Sequence, residues 1–329
     1  MGTVVGKAAL EEAEQKLFTL FRDIAFENVE VIVAGDRLVA TFNVTGTDTY
    51  GGLAGPGKPL RFPAVLLWTV QDGRVFQERR VWDFSGFLFQ RVERELNDAA
   101  EVQRLLLPPG GFAGDGFEVA AASIPARTIG GDFFDYFALP DGGFAFALGD
   151  ISGKGPSAAL LASALLAILS AGRQSNRPGA VLNEANQATL RRAIPGKFAT
   201  VVFATFSKDG RLTYSNAGHN PPLLVGRDGP RWLRTGGTFV GVFPHAEFEE
   251  ETLQLQPGDR LVVYSDGITE ARNVDDIEFG EDRLLSCVEA SRGQAPAALV
   301  QSILETVRDF SSGTTQGDDL TVLVFARTP

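Results

Sequence analysis

The chain has 329 residues, 44% of them hydrophobic and 22% charged, and carries a net charge of −11 with no basic block. That acidic balance gives no electrostatic reason to expect nucleic acid or an anionic membrane surface as partner, and no apolar run approaches the roughly 20 residues that span a bilayer. A single cysteine, Cys287, and only two histidines, His219 and His245, exclude an intramolecular disulfide and a Cys/His zinc site.

The N-terminus lacks the basic and apolar regions of a secretory leader, so a cytoplasmic protein is expected. "AALEEAEQKLFTLFRDIAF" predicts a helix with Leu10, Leu17 and Phe21 on one face. "VEVIVAGDRLVATFNVTG" alternates around a Gly-Asp turn, and "FPAVLLWTV" and "RVFQERRVWDF" flank "QDGR", which predicts two hairpins. Residues 1–90 are therefore expected to form a curved sheet of about four strands against a helix. Between Leu88 and Leu107 the pattern turns helical, with Val92, Leu96, Ala99, Val102 and Leu106 on one seam and Pro108-Pro109 as the stop. Two readings stay open for that seam: a helix packed on its own domain, or a short coiled coil.

Beyond "PPGGFAGDG" a larger domain, 110–329, begins. Its apolar runs predict strands at 117–123, 133–138, 143–149, 199–206, 211–215, 222–226, 260–265 and 320–326. Helices are predicted at 157–171, 178–193, 281–291 and 295–310. Strands and helices in runs, without regular βαβ alternation, argue for a layered α+β sandwich.

The chemistry sits where these strands end. "GGFAFALGDISGKG" runs apolar to Leu148 and turns at Gly149-Asp150; "RLVVYSDGITEA" turns at Asp266-Gly267; Asp318 and Asp319 open the strand "GDDLTVLVFA"; and "RTIGGDFFDY" adds Asp132 and Asp135. Each pair taken singly is a common turn former. Together, carboxylates at neighbouring strand ends would repel one another unless a hard cation sat among them. All-oxygen ligation without thiol or imidazole suits Mg²⁺ or Mn²⁺, and two such ions can activate a water against a phosphoryl group. Two other motifs fail. "GDISGKGPS" has too few residues between glycines for a phosphate-binding P-loop and no Ser or Thr after Lys154. "GGDFF" lacks the acidic residue of the GGDEF nucleotide cyclases where Phe133 stands.

From about Arg94 to Ala326 the ordered pieces "ELNDAAEVQRLLLP", "IPARTIGGDFFDYF", "GDISGKGPSAALLAS", "FATVVFATF", "YSNAGHNPPLLV", "GDRLVVYSDGITEARN", "EFGEDRL" and "GDDLTVLVF" resemble the SpoIIE/RsbU-type branch of the PPM metal-dependent serine/threonine phosphatases. The resemblance implies an αββα sandwich with two Mn²⁺ or Mg²⁺ ions at one edge. By position it implies that Asp150 bridges both ions, the Ile151 carbonyl binds one, Asp266 and Asp318 hold the other, and Asp132 orients a metal-bound water. Asp319, also among the metal candidates, fits better as support for Asp318 through the turn. Arg127 stands where eukaryotic members grip the substrate phosphate; a solvated surface arginine is the equal alternative. Where those members carry a histidine as candidate general acid, this chain has Ser152, and His219 reads as a hydrogen-bonded turn residue.

The first domain resembles SnoaL-like modules of the nuclear-transport-factor-two superfold, through "GDRLVATFNVTGTDTYGGLAGPGKPLRF" and "DGRVFQERRVWDF". Such modules begin with further helices and a strand, so either a truncated chain or a shortened domain is expected, with a ligand-sensing or dimerising role, and Asp83 is a candidate base. The expectation is thus a SnoaL-like regulatory domain at 1–90, a linker helix at 91–109 that pairs a homodimer, and a phosphatase domain at 110–329. By analogy the substrate is a phosphorylated STAS-type anti-anti-sigma factor; the alternative is a non-catalytic PPM-fold binding module.

Overall fold

The computed structural model describes residues 6–51, 53–192 and 194–329. The chain divides into two compact units, one ending at Glu95 and the other beginning at Leu96.

The first unit holds helix α1 (Lys7–Leu20), strands β1 (Phe21–Ala34), β2 (Arg37–Asp48), β3 (Pro59–Gln71) and β4 (Arg74–Trp82), and the start of α2 (Ser85–Leu106). The four strands form one antiparallel sheet in chain order. The predicted helix runs too far. The chain turns to strand at Phe21, because the stretch through Ala34 pairs with β2 and is rich in β-branched residues. Bulges between Arg22 and Ala25 and between Glu27 and Glu30 bend β1, and Asp23 and Asn28 take positive φ there, as short polar side chains can. Of the expected helical face, the Leu10 and Leu17 side chains lie outside the described residues and Phe21 belongs to the sheet core. That core gathers Phe21, Phe42, Val44, Leu60, Phe62 and Phe87. Asp83 is exposed, and its Oδ1 accepts the Ser85 amide at the start of α2. Its carboxylate is engaged in capping a helix from an exposed position, which departs from the expectation of a base in a cavity.

The second unit has strands β5 (Gly111–Gly114), β6 (Phe117–Ile124), β7 (Phe133–Ala138), β8 (Phe144–Ile151), β9 (Ala199–Phe206), β10 (Arg211–Ala217), β11 (Leu223–Gly226), β12 (Gly229–Trp232), β13 (Gly236–Gly237), β14 (Glu251–Gln254), β15 (Arg260–Tyr264) and β16 (Leu320–Arg327). Its helices are the remainder of α2, then α3 (Pro156–Ala171), α4 (Pro178–Arg192), α5 (Asp266–Thr269), α6 (Gly280–Ala290) and α7 (Pro296–Phe310). One sheet runs β13-β10-β9-β8-β7 with β14 beside β10; the other runs β12-β11-β15-β16-β6-β5.

Alternation along the strands builds the layers. Phe146, Leu148, Val202, Val263 and Phe325 pack between the two sheets. Ala145, Ala147, Val201 and Phe203 face α3 and α4, while Val322 and Val324 face α6 and α7. The result is an αββα sandwich. Each strand and helix expected in this unit is present. The largest boundary differences, two residues each, fall at the ends of β8, expected at Gly149 and found at Ile151, and of β10, expected at Ser215 and found at Ala217. The elements that sequence reasoning missed, β5, β12, β13, β14 and α5, are short and carry no apolar run of their own.

Candidate metal centre

Antiparallel pairing brings the aspartates to one end of the sandwich. β7 and β8 pair with Phe133 opposite Gly149, which sets Asp132 beside Asp150. In the other sheet Tyr264 lies opposite Val322, so Asp266 after β15 meets Asp318 and Asp319 before β16. Asp150 shares the parity of Phe146 and Leu148, so it sits at the mouth between the sheets, whereas Ile151 packs among the residues facing α3 and α4.

Two glycines make this convergence possible. A Cβ on Gly131 would lie 3.1 Å from the Ile151 carbonyl oxygen and 3.3 Å from both Asp150 Oδ1 and the Gly153 carbonyl oxygen. Three oxygens therefore surround one small space. At Gly267 a Cβ would stand 2.1 Å from the Asp319 carbonyl oxygen, a distance no side chain could occupy.

The electrostatics are those of crowded acids. Burial, then the charges of Asp266 and Asp318, push the Asp150 carboxyl up to about 7. Asp132 is raised well above the usual carboxylate range by burial first and by Asp150 next, against the pull of the Thr321 and Ser265 hydroxyls. Among the described residues its buried Oδ2 has no hydrogen-bond partner. Burial and the neighbouring Asp318 raise Asp266, and Glu270 rises through burial and the charge of Asp266. Sequence reasoning missed Glu270, since nothing in "SDGITEA" separates it from a solvated helix-end glutamate. Crowded, partly neutralised carboxylates with an orphaned acceptor and no imidazole or thiol among them fit one kind of occupant, a hard divalent cation. Among the described residues no three such side chains already stand around a single point as a finished ligand set. They are neighbours that a cation would gather.

The other candidates have distinct places. Asp319 Oδ1 accepts the Ala126 amide at 2.8 Å, and Oδ2 accepts the amides of Gly131 at 2.7 Å and Asp132 at 3.3 Å. Its carboxylate is engaged in fastening the 126–132 loop, which departs from the ligand expectation. Arg127 is exposed on that loop and makes no hydrogen bond or ion pair among the described residues. Ser152 Oγ accepts the Phe198 amide and donates to the Gly196 carbonyl, so it holds a neighbouring loop. His219 is buried between the Thr200 hydroxyl, 2.7 Å from Nδ1, and the Tyr264 carbonyl, 3.0 Å from Nε2. Burial lowers its pKa to about 4. It is a neutral tie between strands of the two sheets, as the turn-histidine reading held. A groove lined by Glu270, Arg272, Thr314, Gln316 and Asp318 opens beside the carboxylates.

Comparison with known proteins is consistent with this architecture. The family model for Stage II sporulation protein E (SpoIIE) matches residues 140–328, and that for SnoaL-like polyketide cyclase matches residues 2–91. Protein IcfG of Synechocystis is 27% identical over 263 residues, covering 71% of this chain and 41% of its own length. Phosphoserine phosphatase RsbU of Bacillus subtilis is 26% identical over 245 residues, covering 72% of this chain and 71% of RsbU. Among solved structures, the SiaA-PP2C domain of Pseudomonas aeruginosa superposes with a TM-score of 0.65 at 19% identity, covering 73% of this chain and 98% of that domain. The RsbU and RsbW domains of Rv1364c from Mycobacterium tuberculosis give 0.55 at 28% identity, covering 65% of this chain and 60% of that one. Since the first match takes in more than half of the residues, the chain belongs to the SpoIIE family of PPM-type phosphatases and carries a SnoaL-like domain ahead of it.

Proposed function

We propose that the protein is a metal-dependent serine/threonine protein phosphatase that hydrolyses phosphoserine or phosphothreonine on a regulatory protein, with a STAS-type anti-anti-sigma factor as substrate. The observation that carries this is the meeting of Asp132, Asp150, Asp266 and Asp318 at one end of the sandwich, with Asp150 raised to about 7. The name of RsbU, a phosphoserine phosphatase similar to this chain over most of both lengths, supports it.

Asp150, the Ile151 carbonyl, Asp266 and Asp318 would hold two Mn²⁺ or Mg²⁺ ions. Once bound, those ions supply an activated water and neutralise charge on the phosphoryl oxygens. Asp132 orients a water through its free Oδ2. Arg127, exposed and uncommitted, receives the substrate phosphate as a fork of donors. Arg127→Ala should then raise KM for a phosphoprotein about tenfold while metal affinity holds; an unchanged KM returns it to the solvent-facing surface. Neither Ser152 nor His219 offers the leaving group a proton, because the one is engaged with a loop and the other is neutral and buried.

Residues 1–90 act as a regulatory domain, 91–109 as a linker helix that pairs two copies, and 110–329 as the phosphatase. Among the described residues no helix is long and apolar enough to cross a membrane. The test is Mn²⁺-dependent release of phosphate from phosphorylated STAS proteins of the same organism. Release from one of them supports the proposal. A chain that binds such a protein without releasing phosphate would instead be a binding module.

A further inference from the structure

Lys154 drops out of the sequence reading when the P-loop fails, yet the fold puts it at the carboxylates. It stands in the turn between β8 and α3, where Gly153 and Gly155 adopt φ of 82° and 83°. Its Nζ lies 2.9 Å from Asp318 Oδ2 and also donates to the Gly317 carbonyl oxygen. The same ammonium draws the Asp266 carboxyl downward against the neighbours that raise it. A second lysine nearby, Lys197, donates to the Ser152 carbonyl at 2.7 Å, and among the described residues no carboxylate pairs with it. One monovalent cation of the chain itself therefore pairs with Asp318 and acts through its charge on Asp266, the two carboxylates assigned above to a single metal ion.

We infer that the Lys154 ammonium is a resident counter-ion that competes with the entering metal for the Asp266–Asp318 subsite and so sets the protein's metal affinity. The inference rests on the metal-centre reading and adds to it a residue that opposes loading. An ammonium and a divalent ion repel each other, and they cannot share the same lone pairs of Asp318 Oδ2. Lys154 can give way, because its side chain is 33% exposed and its stem is long and flexible. Before loading it offsets the repulsion among the acids; during loading it must be displaced, and the displacement weakens binding.

The experiment titrates Mn²⁺ calorimetrically into EDTA-stripped wild type, Lys154→Met and Lys154→Gln, each full length, with melting temperatures in EDTA alongside. Loss of a part-exposed ion pair corresponds to about a fivefold change in an equilibrium constant. Both variants should bind Mn²⁺ about fivefold more tightly than wild type and melt lower in EDTA. Folded variants with unchanged or weaker Mn²⁺ affinity would overturn the inference while leaving the metal centre in place. No Mn²⁺ binding by any of the three would overturn the metal-centre reading and the inference with it.

Discussion

At the scale of single residues, Asp150 is the group on which stability and function conflict. Its carboxyl is held near about 7 by burial and by two acidic neighbours, against about 3.9 in an unfolded chain. Between those values the folded form keeps a proton that the unfolded form has lost. Its contribution is therefore full below pH ~4 and disappears as the pH rises through ~7. Asp150→Asn mimics the protonated acid. Its melting temperature in EDTA should exceed wild type by a margin that widens from pH 5 to pH 8, and a margin independent of pH would refute the assignment. Mn²⁺-dependent turnover of the same variant should fall by more than the roughly 10–100-fold typical of losing a group that only supports a ligand. Asp132, Asp150, Asp266 and Asp318 were legible in the sequence because each adjoins a glycine at the end of an apolar run. Asp319 as loop fastener and Lys154 as counter-ion were not. Their partners lie far off in the chain, Ala126 for the one and Gly317 for the other, and only pairing of the strands brings them near.

At the scale of elements, α2 reaches the loop of the site through Gln103 and Ala100. Gln103 Nε2 donates to the Gly130 carbonyl at 2.9 Å and its Oε1 accepts the Gly130 amide at 3.2 Å. Ala100 packs nearby against Ile129 and Ala159. Gly130 is two residues from Asp132, so the helix holds the loop that places an acid of the site. Gln103→Leu keeps the bulk and removes both bonds, at a cost of about 1–3 kcal/mol in stability. We expect kcat to fall about tenfold with KM little changed, and an unaltered kcat would reduce α2 to a tether. The amphipathic pattern of α2 showed a helix but not which residue on it would matter, because a glutamine reads as ordinary surface. Helix against strand was likewise undecidable near Phe21, where an apolar helical pattern runs straight into a β-branched one.

At the scale of the molecule, most of the α2 seam is exposed, with Leu96 half-buried, while other positions of the helix pack. Val92, Val102 and Leu106 are 53%, 59% and 52% exposed, whereas Ala100 is buried. Ala100 thus packs within the chain, with Ile129 and Ala159, and the proposed pairing would use the exposed seam positions. Such a seam is too short for a strong coiled coil, so a ligand worth a few kcal/mol would shift its population strongly. Leu96→Glu with Val102→Glu should turn a dimer into a monomer by light scattering and change specific activity by severalfold. If oligomeric state and rate both stay at wild type, regulation by pairing falls. The sandwich was readable in advance because its strands are long apolar runs with clear turns. The edge strands β12 to β14 were not, since their place is set by neighbours and not by their own residues.

The central claim is that the converging aspartates make a metal-dependent phosphatase, and it stands or falls most directly on p-nitrophenyl phosphate hydrolysis by EDTA-stripped wild type and Asp266→Asn, each with and without Mn²⁺. The account predicts hydrolysis by wild type with Mn²⁺ alone, and at most about 1% of that rate in the variant. Hydrolysis without metal, wild-type rates in Asp266→Asn, or no hydrolysis by the loaded wild type would contradict it.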